Sequence, residues 1–412
     1  MNGSWRWALR QWSRQLWVRA ALFALLGVAT ALLGLLGQWL VPADLDLHIG
    51  AKAVDSILNV LASSMLAVTT FSLSVMVSAY AAASSGVTPR ATKLLMQDST
   101  TQNVLATFIG SFLFSLVGLV ALSTGSYGDS GRIIMFVMTL LVLALIVLTL
   151  LRWIEHLSSL GRVGETTERV EKATRQALAA RRQRPTLGGN ALTDRQPIPA
   201  NATPVYPTAI GYVQFVDVAK LATWAESAEA ELYVTAMPGR FVHLLEPLLW
   251  ISGAEADADA LLPAFALGDE RSFDQDPRFG LVVLSEIASR ALSPAVNDPG
   301  TAIDVIGRAT RLLELCPPEE EFEVEYPRLW IPALQDSDLF DDLFNPIARD
   351  GAGLLEVQLR LQKSLHALAL CGPGSYRSAA HRHARRARTR ALQALVLDDE
   401  KAQIEQQTRW LN

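Results

Sequence analysis

Hydrophobic positions fall into four long runs near the start of the chain and into shorter periodic patterns after them. The long runs cover residues 20–41, about 57–80, 104–122 and 133–151, and none of them contains a charged residue. At about 1.5 Å per residue, each run is long enough as a helix to cross the hydrocarbon core of a bilayer. The pattern therefore predicts four transmembrane helices over residues 20–151.

Basic residues flank these runs unevenly. Four arginines precede the first run, and further arginines and lysines follow the second and fourth runs. Acidic residues outnumber Lys52 in the segment between the first two runs. Because cytoplasmic loops carry the excess of Lys and Arg, both termini are predicted to be cytoplasmic.

Residues 1–19 predict a basic and aromatic helix that lies in the membrane interface. Tryptophan and leucine recur at helical spacing on one face, and arginine lies on another. Indole rings favour the headgroup zone, and arginines favour anionic lipid. The alternative is a charged flank that only sets the topology.

The second run carries a polar stripe. At about 3.6 residues per turn, six of its polar side chains fall within about 100° of one another, and they are Ser56, Asn59, Ser63, Thr70, Ser74 and Ser78. Small and hydroxyl side chains permit close packing of helices in lipid. Their oxygen atoms can also replace part of an ion's hydration shell in a water-filled path. Both interpretations stay open for this helix.

The third run has a similar stripe with glycines nearby, for which packing is favoured. Its polar members are Asn103, Thr107, Ser111 and Ser115. No Asp, Glu, Lys, Arg or His lies deep within any run, which argues against a proton-coupled pump. Arg90 and Lys93, after the second run, are candidates for the cytoplasmic mouth of a pathway.

The polar part of the chain predicts an α+β domain. Residues 152–184 are expected to form an amphipathic connecting helix, and residues 185–204, rich in Pro, Gly, Asn and Thr, a linker. Residues 205–412 follow as a cytoplasmic α+β domain that ends in helices. Its first strands are expected at residues 209–216 and 231–236, around a helix at 219–230.

Two motifs distinguish this domain. The first, Phe-Asp-Gln-Asp-Pro-Arg-Phe-Gly at 273–280, predicts a helix from Pro277 with Asp276 as its cap. The second, Ala-Leu-Ser-Pro-Ala-Val-Asn-Asp-Pro-Gly-Thr-Ala at 291–302, predicts a helix capped by Asp298. A helix–loop–helix corner explains most of the second motif, whereas a contact with an ion or a neighbouring subunit is the alternative. The candidate residues of both motifs are Asp274, Asp276, Arg278, Asn297, Asp298 and Thr301.

Together with the four apolar runs, these two motifs resemble a bacterial family of predicted membrane proteins, DUF2254, which is catalogued as a domain of unknown function. The resemblance covers nearly the whole chain. It implies a shared topology and motif but no settled activity, so no catalytic residue is transferred.

Composition and charge narrow the classes further. The formal net charge of -5 predicts no general attraction to nucleic acid. The two cysteines, Cys316 and Cys371, have no metal-type spacing. No signature of a catalytic, metal or cofactor site occurs, so neither a metal nor a cofactor is expected. The basic stretch 381–390 predicts a solvated helix face or a contact with headgroups, nucleic acid or the acidic stretch 336–342.

The predicted architecture is an α-helical membrane domain of four transmembrane helices plus a cytoplasmic α+β domain. The leading hypothesis is a homo-oligomeric inner-membrane channel in the lipid bilayer, in which the second helix lines a passive path for a small monovalent ion. A membrane-anchored signalling or scaffold protein without permeation is the alternative. A third hypothesis is a membrane-bound enzyme with a carboxylate site at Asp274, Asp276 and Asp298.

Overall fold

The computed structural model describes residues 16–36, 51–124, 129–255, 257–314 and 322–411. The chain divides into two compact units. The first covers Ala8–Glu165, and the second is built mainly from Thr166–Asn412.

The first unit is helical. Its described helices are α1 (Leu16–Leu36), α2 (Ala51–Gly86), α3 (Pro89–Met96), α4 (Ser99–Ser123) and α5 (Asp129–Ser159). Three of them are long and apolar enough to cross a membrane, over Ala53–Ser84, Ser99–Ser123 and Arg132–Ser158. These correspond to the second, third and fourth predicted spans.

The first predicted span is described in part. Helix α1 contains the apolar stretch Trp17–Thr30, which is shorter than the other three. Residues 37–41, at the end of this span, lie outside the described residues. Most of the predicted interfacial helix also lies outside them, except residues 16–19, which begin α1.

Glycines allow α1 and α4 to approach closely. A Cβ atom on Gly110 of α4 would lie 2.7 Å from the backbone oxygen of Phe23 in α1, and Gly27 of α1 faces the Gly110 carbonyl. A Cβ atom on Gly118 would collide with the Met135 side chain of α5. Small residues bring backbones together in this way at helix interfaces in lipid.

The predicted continuous helix at 152–184 is wrong. Helix α5 ends at Ser159, and a separate helix, α6, covers Val163–Gln183. Between them Gly161 has a φ of +82°, in the left-handed region that ends helices. A Cβ atom there would lie 2.9 Å from the Ala79 carbonyl oxygen of α2. The break therefore places a residue without a side chain against α2.

The described part of the second unit forms two sheets. The strands are β1 (Gly189–Ala191), β2 (Thr203–Val205), β3 (Gly211–Val216), β4 (Glu231–Val234), β5 (Phe241–Val242), β6 (Leu249–Ser252), β7 (Phe265–Gly268) and β8 (Tyr326–Ile331). Five strands form one sheet in the order β1-β8-β4-β6-β2, and three form another in the order β5-β3-β7. β8 runs parallel to both β1 and β4, whereas the other pairs are antiparallel.

Strand β1 corrects the prediction that residues 185–204 are a linker. It pairs in parallel with β8, and the side-chain amide of Asn190 donates to the Pro327 carbonyl at 2.6 Å. Leu187 and Gly188 both have positive φ values, which turn the chain from α6 into this strand. Part of the predicted linker is thus an edge of the sheet.

The remaining described helices of the unit are α7 (Val218–Ser227), α8 (Ala258–Leu261), α9 (Pro277–Ala291), α10 (Pro299–Leu313), α11 (Asp336–Asp350), α12 (Leu355–Cys371), α13 (Gly374–Ala394) and α14 (Asp398–Gln407). Burial alternates along β6, whereas β4 buries three consecutive residues, and Val213, Leu232, Ile251 and Leu329 are covered in one core with α7. This burial is the main source of stability for a sheet covered by helices.

Candidate functional site

The polar stripe of α2 lies on the outer surface of the first unit. All six of its residues are exposed: Ser56, Asn59, Ser63, Thr70, Ser74 and Ser78. The side of α2 that packs within the unit fully buries Val54, Leu58 and the hydroxyl residue Ser72, and it nearly buries Met65 and Met76. At about 100° per residue, that side is about 170° around the helix from the stripe. Among the described residues of this unit, the stripe therefore takes no part in the packing.

Three hydroxyls of the stripe bond to their own helix. Ser63, Thr70 and Ser78 each donate to the carbonyl oxygen four residues earlier, at 3.0, 2.9 and 3.0 Å. This bond lowers the cost of a hydroxyl in an apolar medium. Asn59 differs, because no hydrogen bond joins its side-chain amide to another described residue.

The corresponding residues of α4 are packed. Thr107, Ser111 and Ser115 are buried, whereas Asn103 at the start of the stripe is exposed. Ser115 donates to the Ser111 carbonyl at 2.9 Å. This is the packing role that the sequence favours for the third span.

Arg90 and Lys93, the candidates for a cytoplasmic mouth, lie on α3. This short helix begins three residues after α2 ends, and Thr88 caps it by accepting from the Ala91 amide at 3.3 Å. Arg90 is exposed and Lys93 half-buried. The two residues therefore stand on a helix separate from the stripe.

The first motif is organised around Asp276. Its carboxylate caps α9 by accepting from the Phe279 amide at 3.1 Å, as the sequence predicts. Arg271 donates to both of its oxygens, at 2.7 and 3.0 Å. Gly239 in the turn before β5 leaves room for this carboxylate, because a Cβ atom there would collide with it. Asp276 is 2% exposed, and its carboxylate is occupied by the ion pair with Arg271 and by the cap of α9.

Two other motif residues act through different partners. Arg278 binds Asp342 at 2.6 Å and Asp338 at 2.5 Å, and so joins α9 to α11. Asp274 accepts a hydrogen bond from Ser272 at 3.3 Å. The hydrogen bond from Arg278 to Asp342 raises the pKa of Arg278.

The second motif forms the predicted corner. Asn297 has a φ of +51°, and its amide donates to the Ser293 carbonyl at 2.8 Å. Asp298 caps α10 by accepting from the amide of Thr301 at 3.1 Å and from its hydroxyl at 2.5 Å. These hydrogen bonds lower the pKa of Asp298.

The carboxylates of the two motifs have separate tasks. Asp276 caps α9 in a buried pair with Arg271, whereas Asp298 caps α10 on the surface. Among the described residues, no group of three His, Cys, Asp or Glu side chains is arranged to hold a metal ion. The geometry thus gives no support to a carboxylate site at Asp274, Asp276 and Asp298.

The basic stretch on α13 contacts the acidic helix α11 of the same chain. Arg382 lies 3.3 Å from Asp341, and Arg386 donates to the side chain of Asn345 at 2.8 Å. His383 is 2% exposed between Phe340 and Phe344, and burial lowers its pKa to about 4. The basic residues 381–390 therefore contact the acidic residues 336–342 of the same chain, which is one of the partners that the sequence suggested.

Sequence reasoning missed a polar cluster in the first unit. The His156 Nε2 atom of α5 lies 2.8 Å from the Asp98 carboxylate, which caps α4. Trp153 stacks beside His156 at 5.8 Å and donates to the buried Ser72 hydroxyl of α2 at 3.0 Å. The N-cap position of Asp98 before Ser99 is the signal that could have located one member.

Glu171 of α6 was also missed. Its carboxylate is nearly buried and binds Arg175, Arg308 and Arg311 at 3.1, 2.9 and 3.1 Å. Burial raises the pKa of this carboxyl, but the hydrogen bonds from the arginines outweigh it, and the pKa is lowered overall. The cluster joins α6 to α10.

A family model described as "Predicted membrane protein (DUF2254)" matches residues 13–367. The uncharacterized protein MT1328 of Mycobacterium tuberculosis strain CDC 1551 is 37% identical over 116 residues, which cover 26% of this chain and 22% of that protein. The uncharacterized protein Mb1321c of Mycobacterium bovis matches with the same identity and coverage. The chain spans about a fifth of the length of these curated relatives. No solved structure matches the chain.

Proposed function

The chain belongs to the DUF2254 family of predicted membrane proteins, and from that premise we propose a multi-pass inner-membrane protein with four transmembrane helices. The three long apolar helices and α1 supply the spans. The distribution of Arg and Lys supports cytoplasmic termini and a cytoplasmic α+β unit.

Its function in this proposal is passive permeation of a small monovalent ion through a homo-oligomer. The observation that carries the proposal is the outward position of the polar stripe on α2. In hydrocarbon, an unpaired amide such as that of Asn59 costs several kcal/mol. Contact with water or with another copy of the chain removes this cost.

Several copies are needed for a path along this face. The stripe turns away from the other described helices of its own unit, so in this proposal it borders an enclosed space only when other copies surround that space. Oxygen atoms along the stripe can then replace water around an ion without fixing a charge. The α+β unit would assemble or gate the oligomer.

The test is ion flux into liposomes that contain the purified full chain. We compare the variant Ser63→Leu/Thr70→Leu/Ser74→Leu with a control, Val137→Leu/Val147→Leu, at exposed positions of α5. Flux of K⁺, measured with a potassium-sensitive dye, should fall at least tenfold in the first variant and stay unchanged in the control.

Two results would contradict the proposal. If flux is equal in the wild type and the triple leucine variant, the stripe does not line the ion path. Absence of flux in a stable monomer or dimer favours the membrane-anchored scaffold instead. Mass photometry of the detergent-purified protein measures the oligomer number in the same preparation.

A further inference from the structure

A cavity of about 270 Å³ lies in the α+β unit between α6, the start of α7 and the motif before α9. Its walls combine apolar surfaces from Ala177, Phe215 and Tyr326 with the side chains of Arg181 and Arg184. Ligand pockets in proteins are typically apolar with a few converging polar groups. This cavity has the same combination of apolar walls and a few polar groups.

Arg181 is the unusual group in the cavity wall. It is 7% exposed, and its Nη2 atom donates to the Pro332 carbonyl at 3.3 Å. Its Nε atom is buried and has no hydrogen-bond partner among the described residues. Burial lowers the pKa of Arg181 to about 10, so the guanidinium stays positively charged at neutral pH.

Among the described residues, no carboxylate accepts a hydrogen bond from the Nε atom of Arg181. Asp276 attracts its charge, but both oxygens of Asp276 accept from Arg271. A buried guanidinium nitrogen without a hydrogen bond, such as the Nε atom of Arg181, is costly to the folded state. Because Arg181 lines the cavity and Asp276 is already paired with Arg271, the positive charge of Arg181 is available to an anion in the cavity.

The start of α7 adds a second source of positive potential. Asp217, Val218 and Ala219 line the cavity at the N-terminus of this ten-residue helix. The first amides of a helix have no acceptor within the helix and carry the positive end of its dipole. Helix N-termini bind oxyanions for this reason.

The acidic residues in the wall limit the charge that the cavity accepts. Asp217 caps α7 by accepting from the Lys220 amide at 3.2 Å, and Asp274 accepts from Ser272. Because these two carboxylates oppose additional negative charge, a polyphosphate is a poor fit. A single oxyanion group matches the balance of charges better.

We propose that this cavity binds a small organic anion that consists of one carboxylate or phosphate group on an apolar body. The oxyanion contacts Arg181 and the first turn of α7, and the apolar body packs against Phe215 and Tyr326. This binding site is independent of the proposed permeation function.

Isothermal titration calorimetry of the full chain in detergent tests the site. The probes are benzoate, phenyl phosphate and, as a neutral analogue, benzyl alcohol. We expect one site per chain for at least one anion, and no saturable binding of benzyl alcohol. Whichever anion binds more tightly identifies the oxyanion as carboxylate or phosphate.

Two variants and one control locate the binding. Arg181→Gln should weaken it at least tenfold, whereas Arg349→Gln, at an exposed arginine outside the cavity, should leave it unchanged. Ala180 is an exposed residue of the wall, so Ala180→Trp should block the cavity without lowering the melting temperature. This second variant decides the question if Arg181→Gln unfolds the protein.

The proposal is overturned if neither anion binds the wild type at about 20 mM, a concentration far above typical ligand affinities. It is also overturned if benzyl alcohol binds as well as benzoate and phenyl phosphate do. Binding that survives undiminished in the folded Ala180→Trp variant would place the site elsewhere.

Discussion

Helices α2 and α4 carry the same kinds of small polar side chains at similar spacing, yet they use them differently. On α4, Thr107, Ser111 and Ser115 are buried within the unit. On α2, the corresponding residues are exposed. The two stripes show that periodicity alone does not decide whether a polar face packs inside its own chain.

Helices α2 and α4 differ in their glycine content along the polar stripe. Gly110 and Gly118 lie beside the stripe of α4 and bring neighbouring helices close. Between Ser56 and Ser78, α2 has no glycine at all. Without a position that admits another backbone closely, the stripe of α2 is left at the surface of the single chain.

Thiol labelling should show the largest difference between the two faces. In a chain in which both native cysteines are replaced by serine, Ser74→Cys should react with a water-soluble methanethiosulfonate about a hundredfold faster than Ser115→Cys. The reactive thiolate forms only where water reaches it. The rates are measured by mass spectrometry of the protein in liposomes. Equally slow labelling at both positions would mean that no water reaches the α2 face.

The second-largest difference between α2 and α4 should appear in the free energy of unfolding when a larger side chain is introduced. Gly110→Val should lower the free energy of unfolding by about 3 kcal/mol or more, because its Cβ atom meets the Phe23 backbone. The matched change Ala67→Val, at an exposed position of α2, should alter it by about 0.5 kcal/mol or less. Denaturant unfolding in detergent measures both, and equal losses would contradict the comparison.

Replacing Asn59 of α2 should affect self-association, whereas replacing Asn103 of α4 should affect folding. Asn59→Leu should weaken self-association by about 1 kcal/mol while the stability of the single chain is kept. Asn103 accepts from Arg19 at 2.9 Å, so Asn103→Leu should lower the stability of the fold by about 1 kcal/mol instead. Analytical ultracentrifugation and unfolding curves separate the effects. The reverse pattern would refute an intermolecular role for Asn59.

Single hydroxyls should have the smallest effects. Ser63 and Ser115 both donate to the carbonyl four residues earlier in their own helix. Ser63→Ala and Ser115→Ala should therefore each change the free energy of unfolding by about 1 kcal/mol or less. A much larger loss for Ser115→Ala in the same unfolding assay would reveal a partner on another helix.

Local signals allowed the sequence to predict much of the α+β unit. Aspartate followed by proline marks the starts of α9 and α10, where Asp276 and Asp298 cap the helices. Alternation of apolar residues likewise located β3 and β4. These elements depend mainly on residues near them in the chain.

Other features depend on distant partners and could not be predicted in this way. Strand β1 has three residues and exists because β8 supplies its hydrogen bonds. Arg181 follows Val170, Thr174 and Ala177 on the buried side of α6, and only the surrounding fold shows that it lines a cavity. A charged residue in phase with a buried stripe is the signal that could have marked it.

The hydroxyl protons of Ser63, Thr70 and Ser78 point back toward the carbonyl groups of α2. What these three side chains turn outward is consequently electron-rich: oxygen lone pairs without protons to offer. A cation can exchange water oxygens for such groups, whereas an anion finds no donor among them. Beside these three acceptors, the donors on the same face come from the amide of Asn59 and the hydroxyls of Ser56 and Ser74, so the stripe as a whole offers both acceptors and donors.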